Sequence, residues 1–166
     1  QTSSIPYDVI RPTAFFKSLS GQIERIKKGK SFLLFGNGDL TSCKPISERD
    51  LCRFIIRLIE RKKQKSNIHI IGGPGPCITP IQQGRILFKL LKKREKFQRI
   101  NPKIFLAIAW FLYPLSKVSS RLNDYREFLR IAYYYATESM LFWNPKIEEY
   151  DSNLTPEFGT DILEGF

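Results

Sequence analysis

The chain has 166 residues, 42% of them hydrophobic, which is enough to bury a core and is most simply one domain. Its 27 Lys and Arg outweigh 16 Asp and Glu, a formal net charge of +11, yet no RNA- or DNA-binding signature accompanies the excess, so no nucleic-acid partner is expected. Cys43, Cys52 and Cys77 are an odd number at spacings that suit neither zinc nor a disulfide framework, and His69 is the lone histidine. Three buried, reduced thiols in an intracellular compartment and no metal site are the expectation.

In chain order, Tyr7 to Arg11 reads as a β-branched strand closed by Pro12, which cannot donate to a ladder. Ala14 to Lys28 has helical spacing, with Phe15, Phe16, Leu19, Ile23 and Ile26 on one face and Gly29 as its C-cap. The segments SFLLF (31–35) and LTSCKPI (40–46) flank Gly36-Asn37-Gly38-Asp39, a strong local hairpin signal. Ser47 with Asp50 resembles a capping box, and a helix is expected from there to about Lys62. Leu51, Phe54, Ile55, Leu58 and Ile59 would form its buried face. A strand IHII (68–71), a loop GGPGPCI and a helix opened by Thr79-Pro80-Ile81-Gln82 follow, then a strand KFQRI (96–100).

After Asn101-Pro102 the texture changes. IFLAIAWFLYPL (104–115) is apolar throughout but too short to span a bilayer; it reads as a buried helix, with a helix lying on a membrane surface as the alternative. A further helix, Asn123 to Leu141, carries Tyr125, Phe128, Ala132, Tyr133, Ala136 and Met140 on one side. From Asn144 a Pro- and Gly-containing acidic tail is expected to be a loop with at most a short turn near Thr160. Strands alternating with helices imply an α/β sheet bearing a helical lobe.

Basic residues concentrate in IERIKKGK (23–30), RLIERKKQK (57–65) and RILFKLLKKREKFQR (85–99). Solvated helix ends account for such runs, since cations favour C-terminal turns; attraction to an anionic membrane or an acidic ligand is the alternative. In GGPGP (72–76), with Pro80 just beyond, prolines remove N–H donors that a phosphate cradle needs, so a structural turn is expected. There is no G-x-S-x-G, and His69 between isoleucines reads as a strand residue rather than a base. Glu148 and Glu149 lie in the acidic tail and read as solvated. The turn Arg11-Pro12-Thr13 is more suggestive, because ligands of open α/β sheets bind beyond the carboxyl ends of strands. It offers a guanidinium, a hydroxyl and free carbonyls, against the plainer reading of a strand-to-helix turn capped by Thr13.

The stretches YDVIRPTAFFKSLSGQIERIKKGKSFLLFGNGDLTSCKPISERDL, IHIIGGPGPCITPIQQGRILFKLL, YYYATESMLFWNPKIEEYD and TPEFGTDILEGF resemble the C-terminal half of divinyl chlorophyllide 8-vinyl reductases of the plastid, NADPH-dependent type. The resemblance weakens over residues 96–125, and its strand–Arg-Pro–helix pattern is shared with other atypical short-chain dehydrogenase/reductases, isoflavone-reductase-like proteins among them. It implies the C-terminal half of a Rossmann-type α/β domain with a mostly helical substrate lobe. Residues 1–100 would supply the last sheet strands, their helices and the hairpin, 101–143 the lobe and 144–166 the acidic tail. The dinucleotide-binding half and any catalytic residues are expected upstream of Gln1.

Further implied are reduction of the 8-vinyl group of divinyl chlorophyllide or protochlorophyllide to ethyl, a chloroplast location and peripheral attachment to a plastid membrane. A non-catalytic reductase-like scaffold on such a membrane complex is the alternative. By similarity, Arg11, Pro12 and Thr13 edge the nicotinamide of NADPH. Phe15, Phe16 and Lys17 face a flat macrocycle, Lys44 and Arg49 meet a propionate, and Tyr133, Tyr134 and Tyr135 stack on the ring.

Overall fold

The computed structural model describes residues 5–61 and 65–165. In chain order its elements are β1 (Asp8–Pro12), β2 (Ala14–Phe15), α1 (Ser20–Lys27), β3 (Phe32–Phe35), β4 (Pro45–Ile46), α2 (Glu48–Ile59), β5 (Asn67–Ile71) and α3 (Pro80–Leu90). They are followed by β6 (Phe97–Ile100), α4 (Lys103–Phe111), α5 (Tyr113–Ser116), α6 (Ser120–Thr137), β7 (Phe142–Asn144) and β8 (Glu149–Asp151). Three strand pairs are parallel, β1 with β5, β2 with β4 and β3 with β6, and β7 pairs antiparallel with β8. The chain divides into two compact units that do not follow chain order. One holds the described residues of Gln1–Glu24, Cys43–Ile78 and Met140–Phe166, the other those of Arg25–Ser42 and Thr79–Ser139.

In the first unit, β1 and β5 run in register from Asp8 opposite Asn67 to Pro12 opposite Ile71. Pro12 is tolerated because it ends the strand. The helix expected from Ala14 starts late: Ala14–Phe15 form β2 against Pro45–Ile46, a 3₁₀ turn covers Phe16–Leu19, and only Ser20–Lys27 are α-helical. Phe16, Leu19, Ile46, Leu58, Ile71 and Leu163 make the core. α2 starts where its capping signal put it, with Ser47 Oγ accepting the Asp50 N–H at 3.0 Å. Its expected end at Lys62 lies outside the described residues. Ile59, assigned to the buried face, is 75% exposed, and Cys52 on the same helix is exposed rather than buried.

The tail departs most from expectation. Phe142–Asn144 and Glu149–Asp151 form a hairpin, with Trp143 and Tyr150 rings 5.1 Å apart, and Leu163–Gly165 close a 3₁₀ turn. Buried Thr155 accepts the Phe142 N–H at 2.9 Å and donates to the Asp151 carbonyl at 2.7 Å, which locks the hairpin to the segment after it.

In the second unit, β3 and β6 lie against α3. The Phe97 ring packs edge-on to Phe32 at 6.0 Å and Phe88 at 5.4 Å. The hairpin expected at Gly36-Asn37-Gly38-Asp39 does not form. A type I′ turn needs positive φ at both central residues, and here only Gly36 and Gly38 have it, Asn37 instead accepting the Asp39 N–H at 3.0 Å. β3 therefore pairs with β6 and the following segment leaves the turn unpaired to β3. α3 begins as read, Gln82 Oε1 accepting the Thr79 N–H at 2.8 Å.

The apolar 104–115 stretch breaks into α4 and α5 at Leu112, just before Pro114, and is not a buried helix: only Ala109 is buried in α4, while Trp110 and Phe111 are 78% and 72% exposed. α6 buries Leu129 and Ala136, leaving Tyr125 and Phe128 of the expected face exposed.

Both α1 and α3 end in a Schellman motif. After α1, Gly29 N–H meets Ile26 O at 2.9 Å and Lys30 N–H meets Arg25 O at 2.8 Å; after α3, Lys92 N–H meets Lys89 O at 3.1 Å and Lys93 N–H meets Phe88 O at 3.0 Å. In the second motif the left-handed residue is Lys92, at φ 52°. A Cβ there is strained by about 1 kcal/mol. Lys92→Gly is therefore expected to raise stability by about that amount in urea unfolding; an unchanged or lower midpoint would contradict the motif.

Candidate functional site

The candidate residues of the first unit gather at the carboxyl ends of β1 and β5. Thr13, buried, donates its N–H to the Ile71 carbonyl at 2.9 Å and its hydroxyl to the Lys44 carbonyl. Gly73 N–H reaches the same carbonyl at 3.0 Å. The polar groups that made this turn a candidate are thus partly committed to joining β1, β4 and the Gly/Pro loop. Arg11 is exposed and, among the described residues, makes no ion pair, so its guanidinium and the turn's remaining backbone carbonyls are what it presents.

The GGPGP loop is a junction. Gly72 N–H donates to Pro156 O at 2.8 Å, Gly73 N–H to Lys44 O, and Gly75 N–H to Glu157 Oε2 at 3.2 Å, while Phe158 N–H returns to Gly72 O at 2.9 Å. A side chain at Gly73 would collide with the Pro45 carbonyl, its Cβ falling 2.0 Å from the oxygen. Three N–H groups are already used and two prolines have none, so this loop does not cradle phosphate.

Lys44 and Arg49, expected to meet a propionate, each hold a carboxylate of the chain's own tail. Buried Lys44 pairs through Nζ with Glu157, and Arg49 grips Asp161 in a bidentate fork through Nε and Nη2, its Nε at 3.0 Å from Oδ2. Ser47 adds a hydroxyl donated to Asp161 Oδ2 at 2.5 Å. Behind them Asp50, wholly buried, accepts the N–H groups of Thr160 at 2.9 Å and Asp161 at 2.8 Å on Oδ2 and Arg53 at 3.1 Å on Oδ1. Gly159 makes this approach fit: its φ is +102°, and a Cβ there would fall 2.1 Å from Asp50 Oδ2.

These tail contacts went unread in the sequence. Asp50 signalled only a capping box, and nothing local pairs it with residues 110 positions away. The lysine–glutamate bond, then the Gly75 N–H, hold the Glu157 carboxyl below the usual range; the Arg49 and Ser47 bonds do the same for Asp161.

The other candidates divide cleanly. Phe16 is 2% exposed and packs in the core, leaving no face for a macrocycle, a correction forced by the 3₁₀ turn that points it inward. Phe15 is 37% exposed and Lys17 exposed, with no ion pair among the described residues. Tyr133, Tyr134 and Tyr135 belong to α6 of the second unit; Tyr133 is half-buried, Tyr134 and Tyr135 are exposed with rings 6.0 Å apart. His69 lies on β5, 3.0 Å from Asp8 Oδ1 and edge-on to Phe54. No group of three metal-binding side chains exists among the described residues, and no described helix is long and apolar enough to cross a membrane.

No family model matches the sequence. It is 45% identical over 98% of its length to a divinyl chlorophyllide a 8-vinyl-reductase, chloroplastic, of Oryza sativa subsp. indica, and 43% identical over 100% of its length to the protein of that name from Arabidopsis thaliana. The chain spans about 40% of the length of each. Among solved structures it superposes on a nucleoside-diphosphate-sugar epimerase from Staphylococcus aureus with a TM-score of 0.57 at 14% identity, covering 99% of this chain and 52% of the other. An NADPH-dependent quinone oxidoreductase from Escherichia coli, complexed with NADPH, gives 0.56 at 16%, covering 97% and 52%. The fold is thus a partial Rossmann-type domain, and the resemblance read from the sequence is matched by relatives that align over 98–100% of the chain.

Because Glu157 and Asp161 are held at depressed pKa in the fold, they bind protons more weakly folded than unfolded. Their stabilisation is complete above about pH 4, the ordinary carboxylate value, and is lost as pH falls through the lower folded values. Melting temperature should drop below about pH 4, and the Glu157→Gln/Asp161→Asn pair should flatten that drop. Asp50→Ala strands two amide donors and should cost about 3 kcal/mol in urea unfolding, well above the effect of Arg49→Met on the exposed side of the latch.

Proposed function

From its homology to the C-terminal portion of the divinyl chlorophyllide a 8-vinyl-reductases, we propose that this chain is the substrate-side portion of a plastid reductase that saturates the 8-vinyl group of divinyl chlorophyllide or protochlorophyllide. The observation that carries this reading is identity of 43–45% over 98–100% of the chain. The relatives are chloroplastic, in keeping with a plastid location.

NADPH meets this chain at its nicotinamide end. The Arg11-Pro12-Thr13 turn, at the carboxyl end of a parallel strand pair, fits that role, whereas the GGPGP loop has no donors left for the phosphates. When bound, the cofactor supplies a hydride, which with one proton converts the C=C bond to ethyl. The chain's part is orientation. Backbone groups of the turn hold the carboxamide, the exposed face of Phe15 lies against the flat ring, and Lys17 holds the propionate. Lys17 takes precedence over Lys44 and Arg49 because those two cations are neutralised by Glu157 and Asp161, and a substrate carboxylate would have to displace one of them. The exposed Trp110, Phe111 and Leu115 around α4 and α5, flanked by Lys103 and Lys117, support peripheral attachment to a membrane that also dissolves the substrate.

Grafting residues 1–166 in place of the matching portion of the rice reductase tests the reading. The hybrid should form the 8-ethyl product from divinyl chlorophyllide and NADPH; a folded hybrid that binds NADPH but forms none overturns it and favours the scaffold alternative. In an active hybrid, Lys17→Met should raise KM for the chlorophyllide about tenfold with kcat little changed. The 166-residue chain alone should show no NADPH binding by calorimetry in the presence of excess inorganic phosphate, and micromolar binding that persists there would contradict the division of roles.

A further inference from the structure

Two of the three basic runs in the sequence, far apart along the chain, converge in the second unit. α1 and α3 end beside one cavity of about 520 Å³, lined by Lys30 from the first run and Lys93, Arg94, Glu95 and Lys96 from the other, over a floor that includes Ile26 and Phe88. That volume falls within the usual range of about 300–1,000 Å³ for small-molecule sites. The simplest account of cations at helix ends is that they offset the negative pole of each macrodipole. Two helix ends present roughly one negative charge between them. Among the described residues four cations line this cavity and Glu95 is its one carboxylate, 4.0 Å from Arg85. Among the described residues no carboxylate pairs with Lys30, Lys93, Arg94 or Lys96. The cavity therefore carries more positive charge than its helices require, concentrated on a concave surface where the field is focused.

We propose that this cavity binds a phosphate group. A dianion answers several cations at once, and Arg94 offers a planar fork suited to two of its oxygens. The long, flexible lysine side chains let their ammonium ends meet the ligand. The source is either a soluble phosphate compound or the headgroup of an anionic phospholipid. The proposal is independent of the reductase reading and stands or falls without any activity.

The test uses the 166-residue chain with inorganic phosphate in calorimetry, and with vesicles of phosphatidylcholine with and without phosphatidylglycerol in sedimentation. Binding should be saturable and weaken roughly tenfold or more in both Lys93→Glu/Arg94→Glu and Lys30→Met/Lys96→Met. Lys65→Glu/Lys146→Glu, which changes net charge as much as the first pair but lies in the other unit, should bind as the parent does. The neutral pair keeps the test readable if charge reversal disturbs folding, which circular dichroism melting reports. Saturable uptake of free phosphate identifies a soluble ligand; cosedimentation only with phosphatidylglycerol vesicles identifies the headgroup. Absence of both, or an equal loss in the control pair, overturns the proposal.

Discussion

The buried carboxylate of Asp50 joins the start of α2 to the amides of Thr160 and Asp161, and much of the first unit depends on that junction. A carboxylate without solvent is costly unless its lone pairs are filled, and here two amides and Arg53 fill them. Once the tail is fixed at Asp50, Asp161 falls within reach of Ser47 and Arg49, and Glu157 within reach of Lys44 and Gly75. The backbone bonds of Gly72 to Pro156 and Phe158 complete the seam. Gly159 is the residue whose shape permits it, since any side chain would occupy the space of the carboxylate.

This latch changes how the candidate site is assembled. Cations that look available in the sequence are neutralised by Glu157 and Asp161 of the acidic tail, so the charge excess near the β1 turn is smaller than composition suggests. What remains open there is Arg11, the face of Phe15 and Lys17. The acidic tail is structural before it is anything else, while the uncompensated positive charge collects instead around Lys30 and Lys93–Lys96 in the second unit. The same separation holds for apolar surface: Phe16, conspicuous as a ring-binding candidate, is core, while α4, which reads as core, is largely exposed.

The sequence by itself determined the strand–turn–helix rhythm, because β-branched runs, capping residues and helix-ending glycines act within a few positions. Ser47, Thr79 with Pro80, and Gly29 all do what their local chemistry dictates. It also determined kinship, since Arg11-Pro12-Thr13 and its flanking segments carry enough identity to be recognised. Only tertiary structure decided what those elements meet. Asn-Gly at 37–38 promised a hairpin, but parallel pairing of β3 with β6 outcompeted it. Ala14–Phe15 have helical spacing yet sit in a ladder with Pro45–Ile46. Lys44 with Glu157, Arg49 with Asp161, and Asp50 with the Thr160 amide lie more than a hundred residues apart. Such pairs leave no trace in local periodicity, because their energy depends on which surfaces the fold brings within about 3 Å.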